Sequence, residues 1–421
     1  MFKLIINTLG TKLVTVLANI LIMVIASRNL GSANMGNISL IVLSVVIFLQ
    51  INNIVAGPAL VYLLPRFETG SILLLSYFWL LITTGIGSGT IFILELIPKT
   101  YFFHVVVLAI IYSLLSIHLT ILLSKEKIKT HNYILTGNTI LLLLTLSIFI
   151  YLFHEKNIYA YIIGLYVAYG LSLLVSTIML IINIKKIRIE NVYGTLRALF
   201  KYGSIMQLSN ILQLLNYRMN YFLIERFWNK SILGVYSVGN QISEGIWIFS
   251  NSASTVLYPK ISNSKESNYA AYTTLFFMKI TAIVTLVLIS VLFTLPVQFY
   301  TYIFGNEFNS VKTVILSVSF GIFFLAVSKI MSNFFSGTGK PHINTISSGI
   351  GLVIVTIFGL VLIPRWAFVG AGITASVTYF ASFLFQFIIF VKNAKLTLRD
   401  FMLTKQDIDA IKLEVIKIIK K

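Results

Sequence analysis

The chain has 421 residues, 57% of them hydrophobic and 11% charged, with a net charge of +19 and no cysteine. That composition excludes an ordinary soluble domain, a disulfide framework, a thiolate metal site and a cysteine nucleophile. The Lys and Arg residues fall in short loops between apolar runs and in the C-terminal tail, which argues for a multi-span membrane protein and against a nucleic-acid partner.

Taken in order, twelve apolar runs read as membrane-spanning helices: 4–26, 38–62, 72–97, 101–123, 133–153, 158–183, 202–226, 232–256, 273–295, 311–335, 342–363 and 368–391. Lys3 leads straight into the first of them, so the N-terminus shows no cleavable-signal pattern. With both ends cytoplasmic, 21 of the 32 Lys/Arg residues fall inside, 7 outside and four within spans. This bias predicts cytoplasmic termini. The longest inner loop, about 184–201, is basic and divides the chain. The expected organisation is a six-helix lobe over 1–184, an inter-lobe loop over 185–201, a second six-helix lobe over 202–392 and a basic tail over 393–421. The outer loops are too short to hold an enzyme site, so no catalytic residue is expected.

The first span carries Lys12 on a face with Thr8, Thr15 and Asn19. It is followed by Ser27-Arg28-Asn29-Leu30 and Gly36, which align without a gap on Glu225-Arg226-Phe227-Trp228 and Gly234 at an offset of 198. Leu64-Pro65-Arg66 and Tyr258-Pro259-Lys260 then end the second span of each half. An even number of spans per repeat makes the repeats parallel, the arrangement of two-lobed transporters with the substrate path between the lobes. The fold class expected is therefore an all-α integral membrane protein, with twelve transmembrane helices in two pseudo-symmetric six-helix lobes around a central cavity.

Gly57-Pro58 should kink the second span, because proline lacks an N–H and crowds the preceding turn. Gln50, Asn52 and Asn53 lie just upstream. Gly85, Gly87 and Gly89 read as a close-packing face. Glu95 is spaced to pair with Lys99 at i+4.

Spans 202–226 and 232–256 are the most polar. The first carries Gln207, Asn210, Gln213, Asn216, Tyr217, Arg218 and Asn220 on a broad face. The second carries Ser237, Asn240, Glu244, Trp247, Asn251 and Ser254 in one stripe at alternating i+3 and i+4 steps. Lipid satisfies neither stripe, so both should face water or other helices. Lys279 and Lys329 lie nearer the cytoplasmic ends of their spans, where they either line the substrate path or snorkel to the headgroups. Glu244 is the acid deepest in the spans. It reads equally as a proton or cation coupling site and as the counter-ion of Arg218.

Gly337-Thr338-Gly339-Lys340 fails the phosphate-loop pattern: Phe334 stands at the early glycine position and Pro341 replaces the Ser or Thr. In the tail, Thr404 with Asp407 forms a capping-box pattern, and Ile408, Ile411, Val415, Ile418 and Ile419 make one apolar face, as in a helix lying on the inner membrane surface.

Ser27-Arg28-Asn29-Leu30-Gly31 with Gly36 resembles the element after the first span of bacterial polysaccharide flippases, the O-antigen-type exporters of the multidrug/oligosaccharidyl-lipid/polysaccharide superfamily. Ile303-Phe304-Gly305-Asn306-Glu307-Phe308 looks like their Phe-Gly-x-x-Phe element, and Gly370-Ala371-Gly372-Ile373-Thr374-Ala375 their Gly-Ala-Ala element. Asn216-Tyr217-Arg218-Met219-Asn220-Tyr221 is similar to an element that often carries Asp where Asn220 stands. The resemblance spans essentially the whole chain. It implies a flippase moving an undecaprenyl-diphosphate-linked oligosaccharide outward across the bacterial inner membrane, with membrane lipid and the polysaccharide polymerase machinery as partners. The chemistry of the stripes agrees with an anionic, sugar-bearing substrate: Arg218, Lys12, Lys279 and Lys329 for the diphosphate, and Asn210, Gln213, Asn220, Asn240 and Asn251 for hydroxyls. No cofactor is expected beyond H+ or Na+ as coupling ion, carried by Glu244. The alternative within the superfamily is a multidrug antiporter, whose cationic substrates the excess of buried Lys and Arg would repel.

Overall fold

The computed structural model describes residues 2–402 apart from 58–59, 61–62, 65, 94–98, 126, 185–187, 263–266 and 395, with backbone alone for 2–10 and a few further helical positions. The tail helix with its Thr404/Asp407 box, Pro58 of the expected kink, Pro65, and Glu95 with its Lys99 pairing lie outside the described residues. Every described regular element is helical, as a hydrocarbon environment requires when no water is present to satisfy open backbone groups.

The helices are α1 (Phe2–Ala56), α2 (Thr69–Ile93), α3 (Phe102–Ser124), α4 (Ile128–Tyr151), α5 (Ile158–Asn183), α6 (Val192–Phe227), α7 (Lys230–Gly245), α8 (Trp247–Ser262), α9 (Ser267–Thr294), α10 (Val297–Phe304), α11 (Val311–Gly337) and α12 (His342–Ala394). Among the described residues eight candidate membrane spans qualify by length and apolarity, two of them the long stretches Thr11–Ala56 and His342–Ala394. Each long stretch is really two helices. Gly31, at φ 79° and ψ 171°, interrupts α1, and Trp366 with Ala367, at φ 47°, interrupts α12. These breaks fall where the sequence predicts the outer ends of paired spans. The two spans bearing the polar stripes do not qualify: amides and charges lower the hydropathy of the first, and the second is divided into two helices of 16 residues each.

The chain packs as two compact units, Met1–Val238 with Val297–Ser310, and Gly239–Pro296 with Val311–Lys421. This division falls within α7 and not at the basic loop over 185–201. Within 185–201 the segment from Val192 is already helical, and Leu199 packs into the core of the first unit.

In the first unit α1 packs on α2, α3, α4 and α6. Its core gathers Val55, Leu60, Ile72, Leu115, Ile121 and Leu199. The break at Gly31 frees the N–H of Ser32, which donates to Oε2 of Glu307 at 2.6 Å. A carboxylate at a helix N-terminus satisfies an orphan donor and complements the helix dipole. Glu307 is carried there by Phe304 and Phe308, both buried on either side of Gly305 at φ 105°. The Phe-Gly-x-x-Phe element therefore acts as a cap for the helix that restarts after Gly31.

In the second unit α11 packs on α8, α9 and α12. Small residues let α11 and α12 approach closely, as membrane helices do when packing replaces the hydrophobic drive. The Gly321 N–H donates to Ser376 Oγ at 3.1 Å, and that hydroxyl donates to the Ser317 carbonyl at 2.8 Å. A Cβ on Gly372 would meet the Ser317 side chain. The Gly-Ala-Gly element thus serves helix packing. Further along this seam the Gln386 amide reaches Ser332 and Asn344, and accepts from Ser328.

One reading of glycine changes, and one segment gains a structural role. A Cβ on Gly87 would press on the Phe48 ring, but nothing lies within 4 Å of one on Gly85 or Gly89. Only one of the three is a close-packing position. Gly337-Thr338-Gly339-Lys340 is a helix C-cap: Gly339 takes φ 77°, and the Lys340 N–H returns to the Phe335 carbonyl at 2.7 Å.

Candidate functional site

The polar stripes occupy α6, α7 and α8. Along α6, in the first unit, Gln207 is buried and its amide donates to Gln50 on α1, while Asn210 donates to Gln207 at 3.2 Å. Gln213 donates to the Tyr217 hydroxyl at 2.7 Å. The Arg218 guanidinium donates to the Tyr221 hydroxyl at 3.2 Å and lies 5.1 Å from that ring's centroid. Tyr221 is buried and its ring meets Tyr236 edge-on at 5.7 Å, so the aromatic pair holds the guanidinium in place. Lys12 is exposed on α1, one turn from Thr15, whose hydroxyl lies 3.2 Å from that of Thr136 on α4.

Asn220 is 1% exposed and donates to the Tyr236 hydroxyl at 3.2 Å. It sits in the contact between α6 and α7, so the structure does not present it to a substrate. The reason is physical: an amide turned toward another helix must find a partner there.

In the second unit Asn240 is likewise 1% exposed and donates to Glu244 Oε1 at 2.7 Å. The stripe is broken at Ile246, whose N–H turns back to the Ser243 carbonyl at 3.2 Å, so the expected single span over 232–256 is two helices. The break separates Glu244 from Trp247. Lys329 of α11 reaches across it. Its ammonium donates to Asn251 Oδ1 at 3.1 Å, lies 4.0 Å from the Trp247 ring centroid and is within electrostatic reach of Glu244. Below it Asn333 donates to Ser254 at 2.7 Å. Glu244 therefore has a cationic neighbour inside its own unit, which sequence spacing did not single out. Arg218 belongs to the other unit.

Lys279 is placed differently. It is the cationic neighbour of Asp400, in the turn over Leu398–Phe401 that follows α12. Hydrogen bonds from the Thr397 N–H at 2.7 Å and hydroxyl at 2.9 Å hold the Asp400 carboxyl below the usual carboxylate range, and Lys279 adds to this. Lys279 thus lies within electrostatic reach of an acid in the turn that follows α12.

The repeated element gives the tightest contact among these helices. A Cβ on Gly36 would fall on the carbonyl of Lys230, and one on Gly234 would fall on the carbonyl of Ser32. Under the offset of 198, Gly36 matches Gly234 and Ser32 matches Lys230. The contact is therefore reciprocal, as a pseudo-two-fold demands, and the hydroxyls of Ser32 and Ser231 bond beside it.

Gln50, Tyr221 and Glu307 are the residues sequence reasoning underweighted. Gln50 was signalled by its neighbours Asn52 and Asn53, and Tyr221 and Glu307 lie inside the quoted elements Asn216–Tyr221 and Ile303–Phe308, whose pattern does not announce their contacts.

A family model described as polysaccharide biosynthesis protein matches residues 74–313. The chain is 28% identical over 255 residues to an uncharacterized membrane protein of Methanocaldococcus jannaschii, covering 57% of this chain and 49% of that one. It is 24% identical over 209 residues to the capsular polysaccharide biosynthesis protein CapF of Staphylococcus aureus, covering 47% of this chain and 51% of that one. It spans about half the length of these curated relatives. Among solved structures, the lipid II flippase MurJ in an inward closed conformation matches with a TM-score of 0.71 at 15% identity, over 95% of this chain and 89% of that one. An inward-facing multidrug resistance MATE family transporter matches with a TM-score of 0.65 at 16% identity, over 93% of this chain and 99% of that one. At such identities the likeness is one of fold.

Proposed function

The chain belongs to the polysaccharide biosynthesis protein family, and on that premise we propose that it is a flippase for an undecaprenyl-diphosphate-linked oligosaccharide. It moves this lipid from the cytoplasmic to the outer face of the bacterial inner membrane by alternating access, coupled to an H+ or Na+ gradient. The observation that carries the reading is the cationic excess within the spans: Arg218, Lys12 and Lys329 against Glu244 as the deepest acid. Buried cations are costly, and a diphosphate offsets that cost where a neutral sugar does not. The half-buried amide of Gln213, with the more open Asn210 and Asn251, suits sugar hydroxyls. A cationic drug would need Glu244, whose carboxylate already accepts from Asn240 and neighbours Lys329. The test is transbilayer movement of a labelled polyprenyl-diphosphate sugar in proteoliposomes under imposed ion gradients. Transport of organic cations in its place would establish the antiporter reading.

Glu244→Gln is expected to lose gradient-driven transport while the protein stays folded and inserted. If Glu244 acts only as a counter-ion, neutralising a cationic candidate partner in the same chain, Lys329→Met or Arg218→Gln, should partly restore transport. A Glu244→Gln variant with full gradient-driven transport removes both roles.

Both termini are placed in the cytoplasm by the charge bias. The cysteine-free chain makes this direct to test. Asn157→Cys and Asn306→Cys should react with an impermeant maleimide in intact cells, and Lys186→Cys should react only after permeabilisation. Labelling of the last from outside reverses the topology.

A further inference from the structure

On the surface of the first unit, a groove of about 340 Å³ lies between α4 and α5. Its lining is almost wholly apolar and includes Tyr133, Gly137, Leu141, Leu171 and Val175. Nothing lies within 4 Å of the place a Cβ would take on Gly137, so the floor of the groove is open. Tyr133 is 56% exposed and Val175 45%, so the walls are unfilled by other helices.

Three further observations give the groove a direction. On the topology proposed above, α4 starts and α5 ends at the cytoplasmic face, so the groove lies in the inner half of the membrane. Its inner end is basic in sequence: Lys125, Lys127 and Lys129 precede Thr130, the first lining residue. Finally, Thr136, next to Gly137, lies 3.4 Å from the Thr11 carbonyl and 3.2 Å from the Thr15 hydroxyl, the turn of α1 that carries Lys12.

From this the geometry points to a lipid subsite: the groove holds the polyprenyl chain of an anionic polyprenyl-phosphate lipid, with its phosphate at the basic rim on the Lys12 side of α4. This rests on the flippase reading and adds to it where the tail rides. An apolar slot supplies burial for isoprene units, and lysines at headgroup level attract phosphate. Commitment to a phosphate-bearing lipid follows from that charge complementarity; a neutral lipid would leave the rim unused.

The experiment is photo-crosslinking of the full chain in proteoliposomes with diazirine-tagged undecaprenyl phosphate, beside diazirine-tagged phosphatidylglycerol at the same mole fraction. The polyprenyl probe should label peptides covering 133–141 and 171–179. Untagged undecaprenyl phosphate should compete for that labelling and excess phosphatidylglycerol should not. Gly137→Trp, which fills the slot, should cut labelling about tenfold, a change of about one decade in affinity. Gly85→Trp, at an open glycine of α2 outside the groove, should leave it unchanged. Should Gly137→Trp fail to fold, Gly137→Leu gives the same reading with less bulk. Equal labelling by both probes, or labelling that survives every filled variant with folding intact, overturns the subsite and makes the groove an ordinary annular-lipid contact. If the wild type flips the sugar lipid with no label in the groove, the subsite fails and the flippase reading stands. If it is labelled there yet flips nothing, the flippase reading fails and the subsite stands.

Discussion

Arg218→Glu is expected to abolish transport while leaving the protein folded and inserted. The residue sits deep in α6, where placing a guanidinium costs at least about 2.5–3.5 kcal/mol on insertion scales. Tyr221 holds it through a 3.2 Å hydrogen bond and a ring face, and Tyr236 braces Tyr221 in turn. Such a mount orients the planar fork, which is what two-point recognition of a diphosphate needs. Lysine supplies charge without the fork, so Arg218→Lys should retain part of the activity. Arg218→Ala should retain little, since a charge-assisted hydrogen bond contributes roughly 1.5–3 kcal/mol, or about one to two decades in affinity. Tyr221→Phe should fall between wild type and Arg218→Lys, because it removes the hydroxyl but keeps the ring. The measurement is binding and flipping of a polyprenyl-diphosphate sugar at matched protein levels. Normal flipping by Arg218→Ala would make the residue structural and remove it from the substrate site.

Gly36→Ala is expected to destabilise the protein far more than an alanine elsewhere in these helices, and Gly36→Leu to prevent stable folding. The added Cβ at Gly36 meets a backbone carbonyl, that of Lys230, which has no rotamer to move aside. Overpacking of this kind costs roughly 1–3 kcal/mol, and more where backbone must shift. Gly234→Ala should behave alike through the Ser32 carbonyl. The double variant should cost less than the sum of the singles, because once the crossing has opened for one Cβ the other finds space. Gly85→Ala is the control. Nothing lies near its Cβ, and it should gain up to about 1 kcal/mol from helix propensity. Thermal unfolding of the detergent-solubilised protein reads the four alanine variants, and Gly36→Leu is read by its yield of folded protein. If Gly36→Ala is as stable as Gly85→Ala, the close crossing is not present in the folded protein.

The sequence by itself determined what the bilayer dictates. Long apolar runs must be helices, because hydrocarbon satisfies no open backbone, so the all-α membrane class and the paired spans meeting at Gly31 and at Trp366–Ala367 were legible from composition and length. The polar stripes of α6, α7 and α8 were legible for the same reason, since amides and charges at that depth contradict a lipid face. The repeat was legible as an alignment of Gly36 with Gly234.

Only the tertiary structure decided which polar groups are open and which are spent on one another. Asn220 and Asn240 look equivalent to Asn210 and Asn251 along their helices, yet both are buried, Asn220 with its amide on Tyr236 of α7 and Asn240 with its amide on Glu244 one turn along its own helix. Lys279 and Lys329 share a residue type and a depth in sequence. One lies beside Asp400 and the other reaches Trp247 and Asn251, because their helices face different partners. Glu307 is distant in the chain from the Ser32 N–H it accepts, and no local pattern announces that bond. The break at Ile246 and the division within α7 belong here too. Periodicity fixes the face a residue occupies on its own helix, but the partner opposite that face is set by packing between segments far apart in sequence.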